Sequence, residues 1–456
     1  MMKYNAGYTS IKQVSEFENR KVTLVGVVVE FSFPRKSRGT DYVTILKIVD
    51  DSQQCPELFV NVFTKQIDDL PHVRSHGDLI LLTNVMIRKH DKGMTAVFYK
   101  NFSAFALCDG NPSDDFRCYQ ATLGFNLEEA EKHLITRLRQ WRGGFQLSPG
   151  TMDNLLSLKD ISNGKHFDLI CKVVDIYKVA ENVWMLLLWD GTDAPPLSLH
   201  GKLKDEENNP LPLHVEPSLL DRKFHLKYPS FGTILRVTAD VTYENFGQHF
   251  SSIDKWVRIC YICCQVSSGM WHGSLSPSSS VRLLSNSDNI VLEYERKYNE
   301  RIVRKHGRLP QWVDLSSHFL TGIDGEIVRF STLIDVLRYA EVDPKFFCVV
   351  RVVAMHPFQA QDFCSFDVSS EYRIRLTLED STARIHALLA GEEWMRFFEA
   401  CPVDQRNTKV KMLLGVPEQQ NLDNDDEFTR NPPWIKCCIQ WKNGLFYVCS
   451  TWLVPN

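Results

Sequence analysis

An all-β-dominated chain of three small barrels in tandem, joined by short helices, is the fold that the sequence predicts. Three observations carry that prediction. A strand, an acidic turn and a second strand recur in residues 43–63, 183–201 and 372–391. Their turns are Asp50-Asp51-Ser52, Asp190-Gly191-Thr192 and Glu379-Asp380-Ser381-Thr382, residue types that cap their own backbone or tolerate left-handed geometry. Each copy follows another apolar run: "RKVTLVGVVVEF", "FDLICKVVDIYKV" and "KFFCVVRVVAMHPF". Finally, a chain of 456 residues divides into three units of domain size, placed at 1–150, 151–310 and 311–456.

The elements follow in order. In the first unit "GDLILLTNVMI" and "AVFYKNFSAFALCDG" continue as strands after a short loop; in the second "GTILRVTADVTY" and "WVRICYICCQV" do so. Five strands with a helical piece after the third is the order of the OB fold. "NLEEAEKHLITRLRQWRGG" reads as an amphipathic helix with Leu127, Ala130, Leu134, Leu138 and Trp141 on one face, packing on the first barrel or bridging to the second. "SLSPSSSVRLLSNSD" reads as a flexible loop or linker by composition. "NIVLEYERKYNERIVRKHGRLP" reads as a charged helix closed by Gly307 and Pro310. In the third unit "EEWMRFFEACP" is an amphipathic helix between strands three and four, and "NPPWIKCCIQWKNGLFYVCSTWLVP" is a closing hairpin with a Lys-Asn-Gly turn.

Composition bounds the function. A net charge of −4 argues against coating duplex DNA by charge alone. No apolar run is long enough to span a bilayer and the N-terminus lacks the apolar core of a signal peptide, so no membrane partner is expected. Thirteen cysteines form an odd count without framework spacing, with Cys171, Cys348 and Cys449 inside apolar runs; thiols in a reducing compartment are the expectation. Cys260 and Cys263 form one C-x-x-C where a zinc ribbon wants two, and no P-loop, G-x-S-x-G or H-E-x-x-H occurs. No catalytic residue, metal or cofactor is expected.

OB barrels bind extended strands across strands two and three, between the loop joining strands one and two and the loop joining strands four and five. Arg35, Lys36 and Arg38 lie on the first loop, where Gly39 permits close approach and Thr40 and Asp41 offer hydrogen-bonding groups. Arg88, Lys89, His90 and Lys92 lie on the second. In "LFVNVFTK" a period of two sends Leu58, Val60 and Val62 to the core and Phe59, Asn61, Phe63 and Lys65 to the other face. Two rings, an amide and a cation in a row suit base stacking with polar readers. Taken singly, the rings would equally suit packing under a neighbouring element, and the cations a solvated edge. In the second barrel Trp271, read as lying on the loop "SSGMWHGS", is a further stacking candidate. The third barrel, apolar and without basic clusters, reads as a protein-docking module.

The stretch "EFSFPRKSRGTDYVTILKIVDDS" resembles the start of the protection-of-telomeres family, through Phe31, Pro34, Arg38, Gly39, Thr40, Asp41, Tyr42 and Asp50. "GDLILLTNVMI" resembles that family's fourth strand, and "FDLICKVV" with Trp189-Asp190-Gly191-Thr192 its second barrel; the third unit is similar in architecture only. The size is similar to that of the compact, plant-like members. The resemblance implies binding of the G-rich single-stranded 3′ overhang of telomeres in the nucleus, control of telomerase access, and a third barrel that docks a protein of telomerase or of an end-capping complex. Phe63 matches a base-stacking aromatic, and His90 stands where the family often has a stacking tyrosine. Two other readings stay open: a telomerase-associated scaffold with weak DNA affinity, and a general single-strand binder.

Overall fold

The computed structural model describes residues 7–90, 93–113, 115–143, 153–180, 183–204, 234–239, 253–267, 270–304, 319–325, 330–341, 345–364, 373–380, 382–399, 401–417, 419–420 and 427–454. The first repeat forms β1 (Lys21–Ser32), β2 (Arg35–Lys36), β3 (Tyr42–Asp50), β4 (Gln53–Thr64), β5 (Leu79–His90), β6 (Gly93–Tyr99), β7 (Ala104–Cys108) and β8 (Cys118–Ala121). Strands β1, β3, β4, β6 and β5 pair in that order and β5 returns to β1, closing a five-stranded ring with β4 and β6 parallel. Alternation does what it must: Leu46, Ile48, Leu58, Val60, Val62 and Phe98 all point into the ring and are buried.

The second repeat forms β9 (Leu155–Leu156), β10 (His166–Ala180), β11 (Val183–Trp189), β12 (Leu199–Gly201), β13 (Leu235–Ala239), β14 (Trp256–Ser267) and β15 (Met270–Leu283). Its ring runs β13, β11, β10, β14, β15 and closes with β13 and β15 parallel. The third repeat forms β16 (Thr321–Ile323), β17 (Lys345–His356), β18 (Arg373–Glu379), β19 (Arg384–Ala390), β20 (Phe428–Arg430), β21 (Trp434–Lys442), β22 (Leu445–Cys449) and β23 (Thr451–Leu453). Strands β17, β18, β19, β22 and β21 close a barrel in the same order. The chain is thus strand-dominated with OB-type connectivity. Its Lys-Asn-Gly turn sets Asn443 at φ 50° and Gly444 at φ 76°, the pair of positive angles that a two-residue hairpin with the twist of its strands requires.

The recurring acidic turns are latches. Oδ2 of Asp50, Asp190 and Asp380 accepts from the backbone N–H of Ile11 (2.9 Å), Leu158 (2.9 Å) and Leu333 (2.8 Å), the first residue of a short helix that precedes each ring's first long strand. Oδ1 accepts from the backbone N–H and the hydroxyl of Ser52, Thr192 and Thr382. Those hydroxyls in turn accept from the next N–H groups, of Lys12, Lys159 and Ile334. All three carboxylates are buried, and fixed donors replace the water that burial removes.

Several expectations are corrected. In the second repeat the partner of β11 is β13, not the segment directly after the turn, because Pro195 and Pro196 interrupt that segment and Leu199–Gly201 pairs with β20 instead. The serine-rich "linker" is the strand β15: Ser279 Oγ donates to Tyr261 O (2.8 Å), while Val281, Arg282 and Leu283 are buried. Trp271 therefore sits in a strand, half-buried, and not on a loop. Cys108 and Cys118 form a disulfide, which the reading of all cysteines as thiols did not anticipate. Gly307 and Pro310 lie outside the described residues.

By contacts the chain divides into two compact units, one holding the first two rings and the other the third ring with β12. Within the first unit the helix Glu129–Gly143 packs on the first ring, burying Leu134, Ile135 and Leu138 against Val25, Val27, Leu79 and Leu81. There β1 also pairs with β15, Phe31 opposite Val281 and Ser32 opposite Ser280, so one sheet runs through both rings. Within the second unit the helices Gly391–Phe398 and Val403–Leu414 cover the barrel, and Trp394, Phe397 and Phe398 enter its core. Among the described residues no helix is long and apolar enough to cross a membrane.

Candidate nucleic-acid interface

With Leu58, Val60 and Val62 committed to the core, Phe59, Asn61 and Phe63 occupy the outer face of β4, each half-buried. The parallel neighbour β6 sets Tyr99 opposite Phe63, and the two rings lie 6.4 Å apart at 17°. Tyr99 contacts Phe102 at 5.3 Å, and the Lys21 Nζ stands 3.8 Å from the Phe102 ring centre. A tight turn fixes this end, Phe102 N–H and Ser103 N–H both donating to Tyr99 O (3.1 and 2.8 Å). Tyr99 and Phe102 are each 39% exposed, so a continuous ring surface with one cation crosses strands three and five of the barrel. The sequence reading missed both residues. For Tyr99 a signal was available: in "TAVFY" Ala96 and Phe98 take the core parity, which puts Tyr99 on the same outer face as Phe63.

The cations of the first barrel lie on two flaps, between β1 and β3 and at the end of β5. On the first, Arg35 and Lys36 form β2 and pair with Val43 and Tyr42 of β3, Ser37 N–H donates to Asp41 O (2.8 Å), and Arg38, Gly39 and Thr40 are exposed at the tip. Thr40 Oγ1 donates to Asp41 Oδ1 (3.4 Å), and Lys36 Nζ lies 5.6 Å from the Tyr42 ring centre. On the second, Arg88, Lys89 and His90 are exposed at the end of β5, with Arg88 hydrogen-bonded to Asn19 (2.5 Å); Lys92 lies outside the described residues. Lys65 is exposed just beyond β4. Two candidates fall elsewhere. Phe31 is buried, because it lies opposite Leu46 and shares that residue's inward face; Trp271 belongs to the second ring.

At the other end of the β4 row, Phe59 carries Lys47 Nζ 5.4 Å from its ring centre. Lys47 pairs with Glu30 (2.8 Å), Glu30 with Arg282 of β15 (3.0 Å), and Arg282 with Glu57 (3.0 Å). Burial acts to raise the Glu30 carboxyl, but Lys47 and Arg282 beside it outweigh that and hold it below the usual carboxylate range. His76 Nδ1 meets Leu283 O at 2.9 Å and Lys255 Nζ donates to Arg74 O (3.1 Å). The first two rings are therefore joined by backbone pairing, an ion network and side-chain bridges.

The chain is similar in sequence to known proteins over most of its length. A family described as "Telomeric single stranded DNA binding POT1/CDC13" matches residues 3–149, "ssDNA-binding domain of telomere protection protein" matches 157–211, and "POT1A-like, OB fold domain" matches 316–443. Protection of telomeres protein 1a of Arabidopsis thaliana is 33% identical over 472 residues, covering 97% of this chain and 97% of that protein. The chain belongs to the protection-of-telomeres family. Protection of telomeres protein 1b of the same plant is 32% identical, covering 95% of this chain and 94% of its own length. The human Protection of telomeres protein 1 is 26% identical over 174 residues, 38% of this chain and 26% of its own length. Family likeness extends into the third unit, beyond the architectural similarity expected from sequence.

Proposed function

We propose that the protein binds the G-rich single-stranded 3′ overhang of telomeres, using residues 1–150 and 151–310 as its DNA-binding modules. The observation that carries this reading is the ring row Phe63, Tyr99 and Phe102, with Tyr99 and Phe102 exposed, on a barrel that also carries the exposed cations Arg38, Lys65, Arg88 and Lys89. Bases stack on the rings; Arg38, Arg88, Lys89 and Lys65 follow the phosphates; Asn61, Thr40 and Asp41 meet base edges. Each stacked base contributes about 1–3 kcal/mol, and cations concentrated on two loops supply a local field that the overall charge of −4 does not cancel. Residues 311–456 dock a protein of telomerase or of an end-capping complex, so that the bound protein shields the chromosome end in the nucleus and regulates telomerase access. The role proposed is binding rather than catalysis.

The test is equilibrium binding of the purified protein to the G-rich strand, its complement and a permuted strand of equal length at stated salt. Preference for the G-rich strand is expected. Equal affinity for the permuted strand would make this a general single-strand binder, and undetectable binding to all three would leave a scaffold role.

A further inference from the structure

Where β1 meets β15, the first unit has an open-sided cavity of about 450 Å³, within the size class of small-ligand pockets. Each ring contributes one aromatic side chain, Phe59 from β4 and Tyr261 from β14. Tyr261 is unusual. It has a φ of 62° where the β10–β14 register shifts, a bulge of the kind that re-aims a side chain. Its N–H donates to Asp168 Oδ1 (2.9 Å), its ring stacks on His166 at 4.2 Å, and it remains 43% exposed. Left-handed backbone at a bulky residue persists only where its surroundings enforce it, and such strain gathers at binding sites.

The charges of the lining nearly cancel. Lys47, Arg258 and Arg282 are each paired with a carboxylate, at 2.8 Å to Glu30, 2.6 Å to Asp168 and 3.0 Å to both Glu30 and Glu57. A phosphate would meet Glu30, Glu57 and Asp168 as well as the cations, so this is no anion site. Two groups keep spare capacity. Arg35 Nε is buried without a hydrogen-bond partner among the described residues. Glu57 meets Arg282 through Oε1, which leaves Oε2 to accept.

A free guanidinium donor and a free carboxylate acceptor, beside two rings, fit a flat heterocycle with an acceptor edge and a donor edge. Guanine has both: O6 and N7 accept from arginine, and N1–H with the 2-amino group presents two adjacent donors when the base is unpaired. We propose that this cavity holds one unpaired guanine of the bound DNA strand, resting on Phe59 and Tyr261, with Glu57 accepting from its Watson–Crick edge and Arg35 donating to O6 or N7. The phosphates stay outside, on the flaps. The assignment rests on the DNA-binding reading and adds a site of base selectivity at the junction of the two rings.

The experiment replaces each guanine of the G-rich strand in turn by inosine, which lacks the 2-amino group, and measures affinity for the full-length protein and its Glu57→Gln variant. Expected is one position at which inosine weakens the unmodified protein about tenfold, the effect of one good base-edge contact, and costs the Glu57→Gln protein nothing further. Replacement by 7-deazaguanine, which lacks the N7 acceptor, combined with Arg35→Gln provides an independent second arm should Glu57→Gln fail to fold; the same position is expected to respond. Inosine and 7-deazaguanine penalties that are identical in variant and unmodified protein at every position would overturn the pocket while leaving DNA binding intact. Loss of strand binding in every arm would overturn both. Free guanosine monophosphate bound as tightly as the strand would overturn the assignment to a strand base.

Discussion

Replacing Asp380 by asparagine separates the charge of a latch from its shape. Asp380 is fully buried, and its oxygens accept from Leu333 N–H, from the N–H and hydroxyl of Thr382 and from Ala383 N–H, at 2.6–2.9 Å. Burial pushes its carboxyl up to about 7, against the lowering effect of those hydrogen bonds. In the unfolded chain the same group titrates near ~3.9. Between those two values the folded state holds a proton that the unfolded state releases. Stability from this group is therefore fully present below the unfolded value and falls as pH rises towards 7. At 1.36 kcal/mol per pKa unit, raising pH from 5 to 8 removes about 2–3 kcal/mol. Asparagine cannot titrate, and its amide sets a donor against the Leu333 N–H, a cost of about 1–3 kcal/mol at all pH values. Amide hydrogen exchange of the full chain, read in the helix Leu333–Tyr339 and in β18 and β19, measures this locally where a global unfolding curve of two units would not. Protection in the unmodified protein, corrected for intrinsic exchange, should fall from pH 5 to 8, while in Asp380→Asn it should be lower at pH 5 and nearly flat. An unchanged pH slope in the variant would refute the assignment of that slope to Asp380.

Arg282→Ala leaves Glu30 buried with Lys47 as its remaining cation and the Ser280 hydroxyl as a donor, and should cost about 1–3 kcal/mol; limited proteolysis should then cut between residues 121 and 155 faster, and an unchanged cleavage rate would count against the bridge. Because Lys47 and Arg282 hold the Glu30 carboxyl low, stability from this network is present above the unfolded value and lost as pH falls through the lowered one; protease resistance should weaken with acid, and Glu30→Gln should abolish that acid response. Gly444→Ala places a Cβ on a residue at φ 76° with open space around it, so the penalty is conformational, about 1 kcal/mol, and thermal unfolding should register a small loss without aggregation.

Much of this architecture is legible in the sequence, because side-chain parity and turn chemistry are local. The acidic turns mark all three repeats, and the outward row of β4 follows from a period of two. Residues 129–143 declare their helix by spacing, although Ile135, wholly buried, was absent from the face read there. What escaped was settled by non-local pairing. β15 is written in serines, and only its pairing with β1 and its buried Arg282 make it a strand. β13 is far in sequence from its partner β11, so the nearer Leu199–Gly201 looked like the hairpin's second half. Phe31 was matched by resemblance alone; its place opposite the inward-pointing Leu46 shows only in the pairing of β1 with β3. The outer parity of Tyr99 is local, but its place beside Phe63 follows only from the parallel pairing of β6 with β4.

The central claim is that bases stack on the row Phe63–Tyr99–Phe102. Its most direct measurement is the affinity of Phe63→Ala and Tyr99→Ala for the G-rich strand across a salt series. Each substitution should weaken binding by about 1–3 kcal/mol at every salt concentration while leaving the slope of log affinity against log salt unchanged, since no phosphate contact is lost. Folded variants that bind as tightly as the unmodified protein, or that bind less tightly only through a shallower salt slope, would contradict it.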